Sequence, residues 1–332
     1  MEAVIRFSHA SMAKGSPSFA AAARLFPSTT RDSAAMLYAA CRYCDDLIDG
    51  QHLGHYQECQ DAIPDSLDAR LAHLETETRR ALAGSPGEQP VFQALHHVVR
   101  RHKIPDDCVM DFIEGFRMDV AGQTYACFDD TLQYAYHVAG VVGVMMAMVM
   151  GVRDPQVLDR ASDLGIGFQL TNIARDIVDD ARMGRCYIPG TWLDEFGLSV
   201  DDLAALRQAE SIAQIGQRLV DAAEPYYASA LAGLPPLGFR NAWAIATATA
   251  VYRDIGIKVR ALGRNAWDQR VSTSGSRKLV LAGVGGWKAL SILLLSRLSP
   301  SPPREGLWTR PHHQADAVWC QVQCQGAQHP RP

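Results

Sequence analysis

Between Gly165 and Asp180 the chain reads GIGFQLTNIARDIVDD, and Gln169, Asn172, Asp176 and Asp180 recur at i, i+3, i+7 and i+11. That spacing predicts an α-helix with all four side chains pointing one way. Ile166, Leu170, Ile173 and Ile177 form an apolar stripe on its other flank, which has to pack into a core. A second acidic run lies upstream, in the helix predicted from Arg31 to Gly50. Thr30 or Asp32 is suited to cap the start of that helix and Gly50 to stop it. Here Asp45-Asp46-x-x-Asp49 puts Asp45 and Asp49 one turn apart on one face.

Like charges at this spacing repel. No lysine is interleaved to neutralise them, and Tyr43, Cys44, Leu47 and Ile48 surround them instead. Either run alone could be a solvated acidic face, but two rows of oxygen donors, one containing an asparagine, point to a cation. Oxygen-only ligation suits Mg²⁺, which keeps several waters and commonly bridges to substrate phosphates. Arg42, Arg175 and Arg185 lie within reach by spacing, although each could equally be an ordinary intrahelical ion pair. Acidic ligands flanked by arginines can hold a diphosphate and stabilise it as a leaving group, which implies heterolysis of an allylic diphosphate.

The rest of the sequence is helical in pattern. Ser66 to Leu82, Val91 to Arg101, Pro105 to Gly122, Thr131 to Gly151, Pro155 to Arg182, Asp201 to Ala232 and Arg240 to Arg264 all carry helical spacing, and no alternating strand pattern is found. The expectation is an all-α fold with one domain over residues 1–298, followed by a disordered, proline-rich tail over 299–332. Val138 to Val152 is the greasiest stretch, but its fifteen residues cover only ~22 Å of helix against a ~30 Å hydrocarbon layer, so it reads as a core helix. Leu279 to Leu298, with Trp287 and Lys288 near its middle, reads as an amphipathic terminal helix. Thirty-two basic against thirty-six acidic side chains give a net charge of -4, which offers nucleic acid no cationic surface. Eight cysteines in 332 residues are too sparse for a disulfide scaffold, and the polar N-terminus points to the reducing cytoplasm. Cys41-x-x-Cys44 lies mid-helix, and only Cys320 and Cys324 offer a second close pair, so zinc is not expected. His96, His97 and His102 read as solvated, and His137 as a satisfied core residue.

Longer matches extend the two acidic motifs. One is Tyr38-x-x-Cys41-Arg42-x-x-Asp45-Asp46-x-x-Asp49. The other runs from Gly165-x-x-x-Gln169-x-x-Asn172-Ile173-x-Arg175-Asp176 through Asp179 and Asp180 to Arg185-x-Tyr187-x-Pro189. Ser16-x-Ser18-Phe19, Phe116-Arg117-Met118-Asp119 and Tyr134-x-Tyr136-x-Val138-Ala139-Gly140 add to them. On these residues the chain resembles the squalene/phytoene synthase family over about residues 8–298. The resemblance implies an isoprenoid synthase helical bundle with a central cavity, and a Mg²⁺-dependent prenyltransferase. By it, Asp45, Asp49, Asn172, Asp176 and Asp180 would hold two or three Mg²⁺ ions, with Mn²⁺ an alternative. Ser16, Ser18, Tyr38, Arg42, Gln169, Arg175 and Arg185 would contact diphosphates, and Tyr252 would face the cavity. Asp45, Asp49, Asp176, Asp180 and Tyr252 would be the catalytic set.

The activity so implied joins two geranylgeranyl diphosphates through prephytoene diphosphate to phytoene, releasing diphosphate in the first committed step of carotenoid biosynthesis. Downstream carotenoid enzymes and peripheral membrane contact would be its partners. The alternatives are a dehydrosqualene or squalene synthase using farnesyl diphosphate, and a non-catalytic helical assembly factor. Pro17 stands where family members often have a lysine within the Ser-x-Ser motif.

Overall fold

The computed structural model describes residues 1–50, 66–296 and 302–311, except for the side chains of Pro17 and Ser18. The loop expected at Gly50 to Pro64 therefore falls, from residue 51, outside the described residues, as do Cys320 and Cys324. Fourteen α-helices are present among the described residues: α1 (Glu2–Gly15), α2 (Pro17–Ala23), α3 (Ser28–Asp49), α4 (Leu67–Leu82), α5 (Pro90–His102), α6 (Asp106–Val120), α7 (Phe128–Ala135), α8 (Val141–Val149), α9 (Pro155–Arg182), α10 (Gly190–Phe196), α11 (Val200–Ala204), α12 (Ala209–Ala232), α13 (Gly238–Leu262) and α14 (Gly275–Leu295). No strand occurs among them.

Local chemistry explains the boundaries of the two acidic helices. In α9, the Asp154 carboxylate accepts from the Gln156 amide, and Pro155 occupies a first-turn position that has no use for an N–H. In α3, Gly50 adopts φ 63°, the left-handed conformation that closes a helix at little cost to glycine. The start of α3 differs from the expectation. It begins at Ser28 after Pro27 with no side-chain cap, and Thr30 is buried inside the first turn.

α9 is the spine of the bundle. It packs against α8, α11, α12 and α13, while α3 packs against α1, α4, α5 and α8. Ile166, Leu170, Ile173 and Ile177 are all buried, as their spacing predicts. α9 comes unusually close to its neighbours at two glycines. A Cβ at Gly165 would overlap the carbonyl of Ala139, and one at Gly143 would overlap that of Ala161. The stretch expected as one helix over Thr131 to Gly151 is α7 and α8 joined by a π-turn, Tyr136–Gly140. This turn is tied to α6, because the Tyr136 hydroxyl donates to Asp111 at 2.5 Å and the His137 ring bonds the Asp111 carbonyl at 2.9 Å. His137 is thus the satisfied core residue expected of it.

The helix expected over Asp201 to Ala232 is broken between α11 and α12, where Leu206 (φ 52°) and Gln208 (φ 54°) take left-handed conformations. Burial explains the break. Leu203 and Ile212 are both buried, yet nine residues of continuous helix are two and a half turns and would place them on opposite faces. His96 and His102 are not simply solvated. His96 bonds the Ala81 carbonyl at 2.8 Å, and His102 bonds the Ser33 hydroxyl at 2.8 Å.

Of the stretch expected as a disordered tail, 299–332, the described residues are 302–311. Residues 302–311 lie against α9 and α12 in irregular conformation, with Arg304 paired to Asp163 and Arg310 to Asp159. Replacing Gly165 by alanine should cost roughly 1–3 kcal/mol by forcing α9 away from the π-turn. Urea unfolding of wild-type and Gly165→Ala protein measures that loss, and an unchanged midpoint would refute the close contact.

Candidate active site

One cavity of about 440 Å³ runs through the bundle between α3, α6, α8, α9 and α13. Its polar end is formed by Asp45 and Asp49 from α3, Asp119 from α6, Gln169 and Asn172 from α9, and Arg185 and Tyr187 from the segment after α9. Most of the remaining wall is apolar, with Phe112, Phe116, Val142, Met146, Phe168 and Ile245 among its residues, and Arg160 also lines it. The run from Val138 supplies this wall as well as core. Val138, Ala139, Val142, Gly143, Met146, Ala147 and Met150 face the cavity, and the helices spanning Phe128–Val149 are 72% buried.

The two acidic rows meet across this end. Arg185 Nη2 donates to Asp49 Oδ1 at 2.6 Å, tying the segment after α9 directly to α3. The Asp119 carboxylate interacts electrostatically with Asp45 and Asp49 on one side and with Asp180 on the other. It accepts the hydroxyls of Tyr134 at 3.1 Å and Tyr187 at 3.0 Å, whose rings stack with centroids 4.5 Å apart. The reading of the sequence missed Asp119 as a site residue. The available signal was a lone carboxylate after Phe116 and Met118, both buried positions of the matching segment.

Of the expected residues, Tyr38, Asp45, Asp49, Gln169, Asn172, Arg185 and Tyr252 line the cavity. Asn172 Nδ2 donates to Gln169 Oε1 at 3.3 Å. Tyr38 stacks on Phe19, and Tyr252 stacks on Phe168 with centroids 4.0 Å apart. Arg42, Arg175, Asp176 and Asp180 are not lining residues. Arg42 bonds Asp46 through Nε at 2.9 Å and Nη2 at 2.6 Å. Asp176 is held by Arg175, whose Nε lies 2.8 Å away, and by Arg270 at 3.3 Å. The Ser16 hydroxyl caps α2 by accepting the Phe19 amide at 3.2 Å, and neighbouring Gly15 abuts the Tyr38 hydroxyl. The Ser18 side chain lies outside the described residues. Cys41 lines the cavity from mid-α3, and burial pushes its thiol and that of Cys44 well up.

The electrostatics show excess negative charge. Burial, then Asp49, Asp46 and Asp119, push Asp45 up to about 7 against the opposing pull of Arg42. Burial and Asp176 push Asp180 up to about 8, with Arg185 and Arg175 opposing. Burial raises Asp119 to about 6. Carboxylates that resist ionisation together, with an amide beside them and only oxygen atoms to offer, fit a hard divalent cation. Among the described residues no three His, Cys, Asp or Glu side chains converge as a cage, so an ion here would draw further ligands from water or substrate.

A family model described as squalene/phytoene synthase matches residues 12–277. The 15-cis-phytoene synthase of Pantoea ananas is 53% identical over 301 residues, covering 90% of this chain and 96% of its own. That of a Paracoccus species is 51% identical over 314 residues, 94% of this chain and 100% of its own. Among solved structures, a dehydrosqualene synthase in complex with ligand superposes with a TM-score of 0.76 at 26% identity, covering 87% of this chain and 98% of that one. A squalene synthase from Alicyclobacillus acidocaldarius, at 24% identity and TM-score 0.68, covers 79% of this chain and 94% of its own and shares the fold.

The raised carboxylates predict a sign for the pH dependence of stability. Asp45 and Asp180 favour the neutral form when folded, so their contribution is complete below the ordinary value of 3.8 and is lost as pH rises through about 7 and 8. Without divalent cations, Asp180→Asn should therefore gain melting temperature over wild type between pH 5 and pH 9, and added Mg²⁺ should narrow the gap. Thermal melts in EDTA across that range check this; a constant difference would rule it out.

Proposed function

The chain belongs to the squalene/phytoene synthase family, and from that membership we infer that it is a prenyltransferase joining two geranylgeranyl diphosphates head to head into phytoene. One geometric observation carries the reading: both acidic helices reach the same end of a single apolar cavity, bridged there by Arg185 and Asp49. The relatives at 50–53% identity are named phytoene synthases, which favours the twenty-carbon donor over farnesyl diphosphate. An assembly factor without catalysis would have no need of converging, partly unneutralised carboxylates.

In this reading Asp45, Asp49, Asn172, Asp176 and Asp180 would hold two or three Mg²⁺ ions. When bound, Mg²⁺ neutralises the diphosphate and makes it a better leaving group. Arg42, Arg175 and Arg185, now occupied by Asp46, Asp176 and Asp49, exchange those partners for diphosphate oxygens. The C–O bond of the first donor breaks, diphosphate departs, and the allylic cation is attacked by the 2,3-alkene of the second donor. Loss of a proton gives prephytoene diphosphate. Its C–O bond then breaks in turn, and rearrangement with loss of a second proton gives phytoene. The apolar walls keep water from the cations, and the stacked pairs Tyr38–Phe19 and Tyr252–Phe168 offer aromatic surface to positive charge.

The lipid nature of donor and product supports peripheral membrane contact, and α14 supplies a face for it. The helix packs on α13 through Leu281, Gly285 and Ala289 and is 17% buried. It leaves Leu279 77% and Trp287 74% exposed, beside Arg277 and Lys288 and without an acidic residue. An apolar face with basic flanks and a tryptophan suits an anionic lipid surface on which the helix lies flat.

Incubation with geranylgeranyl diphosphate and Mg²⁺ should release two diphosphates per phytoene formed. Asp45→Asn and Asp176→Asn should each lower turnover by at least ~100-fold, since the metal's several kcal/mol of charge stabilisation is what they remove, with helical circular dichroism unchanged. Normal rates in either variant would refute the metal assignment. Wild-type protein should sediment with vesicles containing phosphatidylglycerol, and Trp287→Ser with Leu279→Ser should abolish that; equal sedimentation would exclude α14.

A further inference from the structure

Along α9 the cavity wall runs from the carboxylates to Arg160, and Arg160 is in turn bonded by the segment 302–311. Asn172, Gln169, Gly165, Ala161, Arg160 and Val157 form one continuous strip of wall along α9. The twelve residues from Asn172 to Arg160 span ~18 Å, a depth on the scale of a long prenyl chain. Arg160 is the charged residue at the bottom of this strip, surrounded by Val157, Gly233, Leu234 and Leu237.

A guanidinium cannot shed its charge, so at 9% exposure it needs acceptors, and they hold it in place. Arg160 Nη1 donates to the Ser229 carbonyl at 3.2 Å and to the Ser229 hydroxyl at 3.3 Å. Its Nη2 donates to the carbonyl of Pro302. The Ser229 hydroxyl donates to Asp163 at 2.5 Å, and Asp163, fully buried, accepts Arg304 through two bonds of 2.8 Å each. Arg310 bonds Asp159 at 2.7 Å, and the Trp308 amide bonds the Tyr226 hydroxyl at 3.3 Å. Three residues of α9, namely Asp159, Arg160 and Asp163, are thus engaged by a segment lying some 140 positions later in the chain.

We propose that Arg160 is the floor of the prenyl cavity and that residues 302–311 clasp it in place, so that together they set the longest donor the enzyme accepts. The proposal rests on the reading that this cavity holds prenyl chains. A donor one isoprene unit longer would have to push the Arg160 guanidinium off Ser229 and Pro302, leaving buried polar groups unpaired. Selection of that kind is far steeper than the discrimination an apolar wall achieves per methylene. Arg160 meets the substrate in this scheme. Arg304 is a positioning residue acting through Asp163, Ser229 and the lie of Pro302.

Competition between C20 and C25 (farnesylgeranyl) diphosphates, with Mg²⁺ and full-length protein, tests both parts. The readout is the ratio of kcat/KM for C25 to that for C20, from product analysis. Arg160→Ala should raise this ratio by at least ~10-fold. Arg304→Gln should raise it in the same direction, and Arg304→Lys, which keeps the charge but not the two-pronged contact, should fall between. An unchanged ratio in Arg160→Ala protein with wild-type helicity overturns the floor. A shift there with none in Arg304→Gln overturns the clasp. If Arg304→Gln does not fold, the double variant Asp163→Asn/Arg304→Gln, which removes both members of that ion pair together, gives the same reading. A wild-type protein that releases no diphosphate from the C20 donor would instead refute the activity, a result separate from any change in the ratio.

Discussion

Negative charge inside an apolar chamber is the constraint around which this molecule is built. Two unit charges 4 Å apart repel by about 4 kcal/mol at an effective dielectric of 20, and α3 and α6 bring Asp45, Asp49 and Asp119 to one end of one cavity, with Asp180 of α9 in electrostatic contact with Asp119. The chain relieves part of this with its own arginines: Arg42 on Asp46, Arg185 on Asp49, Arg175 and Arg270 on Asp176. What remains falls on Asp45 and Asp180, one in each row, and on Asp119 between them, and these are the carboxylates whose protons are held most tightly. The residual charge is therefore spread over α3, α6 and α9 rather than concentrated on one helix.

α9 carries this arrangement because it is fixed along its whole length. Gly165 and Gly143 let it approach the π-turn and α8 backbone to backbone, which sets its depth, and its isoleucine and leucine stripe sets its rotation. With both coordinates fixed, its C-terminal half presents Gln169 and Asn172 to the polar end, with Asp176 and Asp180 following on the next turns without lining it. Its N-terminal half presents Arg160 to the cavity and Asp159 and Asp163 to the segment 302–311. The span from Asn172 to Arg160 is then a property of one helix rather than of several loops.

The parts of this that were legible in the sequence are those that repeat with helical period. The two acidic faces, the apolar stripe of α9, the Gly50 stop and the core role of the Val138 run all follow from spacing and residue type alone. Asp119 was not legible as a site residue because its role comes from Tyr134, Tyr187 and Arg185, which only tertiary folding brings near. The break at Leu206 carries no glycine or proline and is imposed by burying both Leu203 and Ile212. Residues 302–311 read as tail because proline-rich sequence without apolar period has no local reason to fold. Their order comes from Arg304 and Arg310 meeting aspartates on α9, and a pairing over that separation leaves no periodic trace.

A single polar end also constrains the order of events. On the proposed reaction two diphosphates depart, and among the described residues the cavity lining gathers Asp45, Asp49, Asn172 and Arg185 in one polar region, while Val157, Leu234 and Leu237 line it along with Arg160. The cyclopropyl intermediate must then keep its remaining diphosphate at the same end that released the first. The second ionisation follows once that first group has left or moved aside. On the proposed reading, an intermediate of that length would be held at its diphosphate by Arg185 and cations on the carboxylates and along its tails by the apolar lining. The same enclosure that makes the charges costly thus keeps the two ionisations in one chamber and in sequence.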